Sequence, residues 1–262
     1  MLHHASEEPH SSQKSQKSQK SYKPYAMSGY AIYDGIIEDK LLDEVLKETK
    51  KVKGTTRLDC WKNQEANAIL DLAYHHKVLS ILKELYNEEP FPFQTLNFDQ
   101  SPGIDIHCDT IHFNTEPACW MCGVWVALED VTMENGPLQY FPGSHDLPIV
   151  RFQDIGLVPD RNKEIFMRNL SVYSAWLHKR NDMMGLKPTT LLCKRGTVLI
   201  WHANLMHMSM NPKPGTTRAS QVTHYYFKKE GIKYIVPAFD MEKTDTFALE
   251  RKRFAISKDG PI

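Results

Sequence analysis

From Phe93 onward the chain is cut into short β-rich runs by Gly, Pro, Asn and Asp, and this punctuation limits the fold more than any other feature of the sequence. The runs are Phe93–Asp99, Ile104–His107, Met121–Leu128, Leu138–Phe141, Thr189–Cys193, Thr197–His202, Leu205–Ser209 and Gln221–Phe227. None is long enough to bury itself, so the strands must pair into sheets. Before Phe93 the pattern differs. Tyr30–Tyr33 reads as a strand, and Glu38–Val52 carries Leu41, Leu42, Val45 and Leu46 at helical spacing. Gln64–Ala73 and Val78–Tyr86 read as two further helices, closed by Pro90 and Pro92. Helices followed by about eight short strands predict a mainly β fold with flanking helices, a helical layer on a double-sheet jelly roll. Val172–His178 has no breaker and predicts helix within the 159–181 segment.

Residues 1–26 stand apart. They repeat Ser-Gln-Lys from Ser12 to Lys20 and carry almost nothing apolar, so a disordered tail is expected, with 27–262 forming a single domain. Lys plus Arg and Asp plus Glu are both 32, which argues against nucleic acid as a partner. No apolar run is long enough to span a bilayer, and Met1–Ser28 has no secretory core. The five cysteines (Cys60, Cys108, Cys119, Cys122, Cys193) are an odd number, which suits reduced thiols and predicts a cytoplasmic protein. The chain ends Asp259-Gly260-Pro261-Ile262 rather than in a Ser-Lys-Leu address.

Three places carry chemistry. In His107-Cys108-Asp109, extended backbone would put imidazole and carboxylate on one side and Cys108 on the other. These are two thirds of a facial metal triad, although a surface His beside a solvated Asp gives the same letters. Gly196–Asn211 reads as a strand, a turn and a second strand, with Leu205, His207 and Ser209 on one face and Met206, Met208 and Met210 on the other. The methionines read as core packing. His207 is then either a hydrogen-bonded core residue or a metal ligand. Arg218 opens the next strand after Asn211-Pro212-Lys213-Pro214-Gly215. A guanidinium entering the interior needs an anion, which either a rim salt bridge or a ligand carboxylate would supply.

Taken together, these places form an ordered pattern: His-x-Asp, a His about a hundred residues on, and an Arg eleven residues after it. With Trp125-Val126-Ala127-Leu128-Glu129-Asp130 and Asn135–His145, the sequence from Gly29 to Phe227 resembles the phytanoyl-CoA dioxygenase family of Fe(II)/2-oxoglutarate oxygenases. The resemblance implies a double-stranded β-helix, a cupin-like jelly roll. It implies His107, Asp109 and His207 as catalytic iron ligands, and Arg218 and Ser209 on the distal carboxylate of 2-oxoglutarate. Trp125 would line the cosubstrate pocket, with Gln94 and Asn97 helping to hold the cosubstrate. His112 and Asn114 would reach the substrate; His145 would either face the site or tie down its loop. Cys119-x-x-Cys122 has no second pair to complete a metal site and reads as packing.

The implied reaction consumes O2 and 2-oxoglutarate, releases succinate and CO2, and hydroxylates a small molecule. The presence of the Asp109 carboxylate favours hydroxylation over halogenation. Desaturation, epimerisation or cyclisation would use the same cofactors. A zinc hydrolase fits less well, since hydrolysis needs no anion clamp at Arg218 and Ser209. A non-catalytic metal-binding jelly roll is the non-enzymatic alternative. Residues that would choose a substrate fall in loops and in the 146–195 insert.

Overall fold

The computed structural model describes residues 25–51, 53–60, 67–239 and four residues near the C-terminus, Ile256, Ser257, Gly260 and Pro261. Its centre is a six-stranded antiparallel sheet in the order β1-β8-β5-β10-β3-β2. The strands are β1 (Tyr30–Tyr33), β2 (Thr55–Asp59), β3 (Glu89–Phe98), β5 (Met121–Ala127), β8 (Val198–His202) and β10 (Ser220–Lys228). A smaller sheet, β7-β6-β9, is built from β6 (Leu138–Tyr140), β7 (Thr189–Thr190) and β9 (His207–Ser209). β4 (Asn114–Glu116) pairs with β11 (Lys233–Ile235). This is the expected double-stranded β-helix with flanking helices.

The alternation of side chains along the central strands builds two cores. Cys122, Val124 and Val126 of β5, Val198 and Ile200 of β8, and Tyr225 and Phe227 of β10 face outward. There they meet Leu42 and Val45 of α1 (Asp39–Thr49), Ile69 and Leu72 of α2 (Ala68–Ala73), and Val78, Leu82 and Leu85 of α3 (His76–Tyr86). The opposite face of the same strands presents Trp125, Ala127, Leu199, Trp201 and Val222 to Leu138 and Tyr140 of the small sheet. Strands buried on both faces read as continuous apolar runs, which is why β5 and β8 are so clear in the sequence. Behind the small sheet, Tyr173 and Leu177 of α4 (Lys163–Met184) pack on Ile106, Ile111, Phe152 and Met206.

Several expectations shift. The first helix ends at Thr49 rather than Val52, and Val52 and residues 64–66 lie outside the described residues. The candidate strand Ile104–His107 is reduced to one bridge, His107 with His207. The insert's helix runs 22 residues, far beyond Val172–His178, because Asn162 caps it at Glu164 and Ile165 and Gly185 ends it at φ 66°. Pro90 and Pro92 do not close the helical part; they lie inside β3. They are tolerated because β2 pairs only with Gln94–Phe98, so the earlier half of β3 needs no ladder donors on that side. β2, β4 and β11 were not expected; the last two are three residues each, too short to show a period.

The start of the domain also moves. Residues 1–24 of the expected tail lie outside the described residues, but Tyr25 belongs to the core. It is 6% exposed, its hydroxyl lies 2.7 Å from that of Tyr86, and the two rings meet edge to face. Removing a buried aromatic costs about 3–5 kcal/mol, and a domain of this size loses about 2–4 °C per kcal/mol. A chain beginning at Met27 is therefore expected to melt roughly 6–20 °C below one beginning at Tyr22. Equal melting curves would show that Tyr25 contributes nothing to the fold.

Candidate metal centre and anion pocket

Between the two sheets lies a cavity of about 370 Å3, and His107, Asp109, His207, Ser209, Arg218, Trp125, Gln94 and His112 all line it. One imidazole nitrogen from each of His107 and His207 and one oxygen of Asp109 lie within 4.8 Å of one another. Asp109 Oδ1 is 3.8 Å from His107 Nε2 and 3.7 Å from His207 Nε2. His107 and His207 are joined by two backbone hydrogen bonds of 3.0 Å, so the bridge that replaces the expected strand is what brings the distant histidine to the His-x-Asp. Cys108 is extended, and Asp109 then opens a 3-10 turn, Asp109–Ile111. The extended Cys108 turns its own thiol away into the α4 core, where it donates to the Asn204 carbonyl at 3.3 Å.

The donor set suits a metal. His107 Nδ1 donates to the Asp105 carbonyl at 2.8 Å, and His207 Nδ1 donates to the Leu205 carbonyl at 2.9 Å. A carbonyl can only accept, so both rings carry a proton on Nδ1 and turn Nε2 to the cavity. Asp109 Oδ2 accepts from Trp201 Nε1 at 2.6 Å, which leaves Oδ1 between the two Nε2 atoms. Burial, joined by the nearby His207 ring, pushes His107 down to about 3. Burial alone would raise the Asp109 pKa. Its neighbours His207, His224 and His107, with the Trp201 N–H, outweigh that and hold it below the usual carboxylate range. The result is a neutral His107 beside an ionised carboxylate, the protonation states that coordination requires.

Arg218 lies in the same cavity. It is 1% exposed, its Nε and Nη1 have no hydrogen-bond partner, and its guanidinium carbon is 5.6 Å from the Trp125 ring centroid. Burial pushes its pKa down to about 10, so it stays charged at neutral pH. Among the described residues no acid pairs with it, so the rim salt bridge offered as an alternative is not seen there. Trp125 Nε1 is likewise buried without a partner. Ser209 Oγ accepts from Ile104 N at 2.8 Å, which fixes its hydroxyl on the cavity wall. Gln94, in the amide orientation that satisfies both groups, accepts from Arg57 Nη2 at 2.8 Å and Nε at 3.0 Å. His112 borders the cavity with its ring 5.9 Å from that of His107.

Three expected site residues are corrected. Asn97 is an odd number of positions from Gln94, so it faces the helices and donates to Thr49 Oγ1 at 3.0 Å and Gln221 Oε1 at 3.1 Å. Asn114 is spent on its own turn, where Oδ1 accepts from Thr115 N and Cys119 N. His145 takes its second reading. It is not on the cavity wall but lies against Gly29, with Nε2 donating to the Ala26 carbonyl at 3.1 Å, so it ties its loop to the start of the domain. Of the methionines, Met206 is core as expected, whereas half-buried Met208 borders the cavity.

The sequence reading missed four groups. Trp201 and His224 both reach Asp109 Oδ2, at 2.6 and 3.7 Å. Both were accessible by parity: Trp201 is two residues from Leu199 on β8, and His224 is two from Val222 on β10. Arg57 arrives on the unexpected β2. Phe113, Phe166 and Phe239 complete an aromatic wall from three distant segments. The remaining thiols read as packing, and none joins a metal group among the described residues. Burial pushes Cys108 up to about 12, Cys119 and Cys193 up to about 11, and Cys122 well above the ordinary thiol value.

The sequence profile of the family described as Phytanoyl-CoA dioxygenase (PhyH) matches residues 25–219. A phytanoyl-CoA dioxygenase domain-containing protein 1 homolog of Dictyostelium discoideum is 25% identical over 168 residues, 63% of this chain and 56% of that one. The Danio rerio protein of that name is 40% identical over 79 residues, 29% of this chain and 27% of its own length. The chain thus spans about half the length, or less, of the curated relatives it matches. Among solved structures, the α-ketoglutarate-dependent carbocyclase SnoK from nogalamycin biosynthesis has a TM-score of 0.62 at 16% identity, covering 93% of this chain and 92% of that one. EctD from S. alaskensis, with 2-oxoglutarate and 5-hydroxyectoine, has a TM-score of 0.59 at 16% identity, covering 86% and 80%. Among the described residues no helix is long and apolar enough to cross a membrane.

Burial also lowers His224 to about 4, so the metal-free centre holds at least two neutral imidazoles that would titrate near 6.5 in the unfolded chain. Below pH 6.5 the unfolded state binds protons that the folded state refuses. Stability therefore falls as pH drops from about 6.5 towards 4, and Asp109 adds to the loss below its ordinary value. Each histidine contributes up to about 2 kcal/mol of loss between pH 6.5 and 5. Denaturant melts in a chelator at pH 7, 6 and 5 are expected to show a steady decline. Stability that stays level across that range would mean these rings are protonated in the fold.

Proposed function

The chain belongs to the phytanoyl-CoA dioxygenase family, and on that premise we propose that it is an Fe(II)- and 2-oxoglutarate-dependent dioxygenase that hydroxylates a small molecule. One observation carries the reading: a buried guanidinium that has no acidic partner among the described residues shares a cavity with a His-Asp-His group. An unpaired buried cation is costly unless a ligand anion completes it. A dicarboxylate that reaches from the metal to Arg218 supplies that anion. A zinc hydrolase has no use for the clamp, and a simple metal-binding jelly roll leaves it unexplained.

His107 Nε2, Asp109 Oδ1 and His207 Nε2 would hold iron and leave three of six positions open. Bound there, Fe(II) supplies the redox chemistry by which O2 and 2-oxoglutarate are consumed and succinate and CO2 released. The chain's part is orientation. Arg218 grips the distal carboxylate through its planar fork, with the Ser209 hydroxyl beside it. Trp125 lies against that guanidinium and offers its buried N–H to the same end of the cavity. Gln94, paired with Arg57, gives a polar edge on the β3 wall. His112, Phe113, Phe166 and Phe239 form the wall that would receive the substrate and keep water from the reacting carbon.

Replacing His207 by Ala is expected to abolish turnover and lower Fe(II) affinity sharply; unchanged iron content would remove it from the site. Truncating one partner of a buried charge pair costs about 2–5 kcal/mol. Arg218→Ala is then expected to weaken 2-oxoglutarate binding roughly 30-fold or more under anaerobic Fe(II). Lys at 218 should restore only part, and iron binding should survive in both. Pyruvate, which lacks the distal carboxylate, should bind the wild type poorly and lose little more in Arg218→Ala. Equal losses for both oxoacids would make Arg218 a fold residue.

A further inference from the structure

Asp109 could offer a metal either or both of its oxygens, because rotation about its terminal torsion exchanges them. In this protein the choice is made by the indole of Trp201. Its Nε1 donates to Oδ2 at 2.6 Å, a short charge-assisted hydrogen bond between two buried groups. An indole N–H is a donor only and does not titrate, so it cannot release Oδ2 by changing protonation state. Oδ1 is left facing both Nε2 atoms, at 3.8 and 3.7 Å.

The indole is itself held from two sides. Its ring lies 4.7 Å from that of His207 at an interplanar angle of 40°, so it touches two of the three expected ligands. Its other face lies on Gly123, the β5 residue paired with it in register. A Cβ at 123 would meet Trp201 Cε2 at 2.3 Å and its Cζ2 and Nε1 at 2.5 Å. Those separations are below any real contact. Gly123 is not among the residues with positive φ, so the requirement there is for space and not for an unusual backbone. A glycine inside a strand is a mark of close approach, and here what approaches is the donor to Asp109.

We infer that Trp201, seated in the slot left by Gly123, is a positioning residue that makes Asp109 a one-oxygen metal ligand. The inference rests on the metal-binding reading of His107, Asp109 and His207. With Oδ2 engaged, the three ligands occupy three positions of a six-coordinate ion; a two-oxygen carboxylate would occupy a fourth and leave too few for a chelating cosubstrate and a gas.

The test is metal alone, with no turnover. Wild type, Trp201→Phe and Gly123→Ala are titrated with Co(II), and the visible d–d absorption of each loaded protein is recorded. Trp201→Phe keeps an aromatic ring and loses the N–H; Gly123→Ala keeps the N–H and displaces it. Both are expected to bind Co(II) about 10–100-fold more weakly, the usual effect of losing a partner to a ligand. Both are also expected to show an altered d–d band as the carboxylate changes its mode. If Trp201→Phe does not fold, 3-benzothienylalanine at position 201 removes the N–H with the ring shape preserved, and the same two changes are expected. A folded Trp201 variant with wild-type Co(II) affinity and an identical band overturns the inference, even if its melting temperature is lower, since a purely structural role would move only the latter. A wild type that holds no Co(II) overturns the metal reading and this inference with it.

Discussion

A carboxylate buried among imidazoles and an indole N–H sets the terms for the surrounding structure. A charge out of water must be met by dipoles and partners in fixed places, and Asp109 is met by groups from β8, β9 and β10 at once. Each brings its own backbone constraint. His207 is fixed by the bridge to His107, Trp201 by the bare strand at Gly123, and His224 by its contacts with the rings of Phe93 and Phe113. The sheets are thus stitched together around a group whose ionised state they themselves maintain.

Arg218 is the complement of that centre. One cavity holds a buried anion that accepts from the Trp201 indole and turns its other oxygen to two imidazoles, and a buried cation with donors to spare. The two do not pair with each other: Asp109 opens a 3-10 turn, Arg218 lies just before β10, and each is backed by its own aromatic ring, Trp201 for Asp109 and Trp125 for Arg218. A metal ion would answer the first, and a ligand carboxylate the second.

Much of this was legible in the sequence, for a physical reason. Strands buried on both faces are nearly all apolar, so β5 and β8 stand out, and the segment that carries His207 follows β8 directly. His207 and Arg218 were found because polar groups in such surroundings demand an explanation. The errors have causes as definite. Asn97 was placed beside Gln94 although odd spacing puts them on opposite faces. Asn114 looked available because the turn that consumes its amide leaves no periodic trace. Trp201 was passed over as one more apolar residue in an apolar strand, since nothing in the letters shows that Gly123 lies across from it. The aromatic wall joins positions 113, 166 and 239, and only tertiary structure brings such positions together. Tyr25 was lost to the tail because one aromatic in a polar stretch carries no pattern.

The thiols described above bear on how long such a protein lasts. Attack by oxidants requires thiolate, and a group whose pKa stands near 11 is ionised in only about one copy in ten thousand at neutral pH. Cys108, one residue from each of two expected ligands, stands higher still. An oxygenase centre of the kind proposed would put its own side chains at hazard, thiols among them. By keeping these thiols protonated in apolar surroundings, the fold slows the formation of sulfenic acid beside its own chemistry. Packing that serves the core thereby also extends the protein's working life.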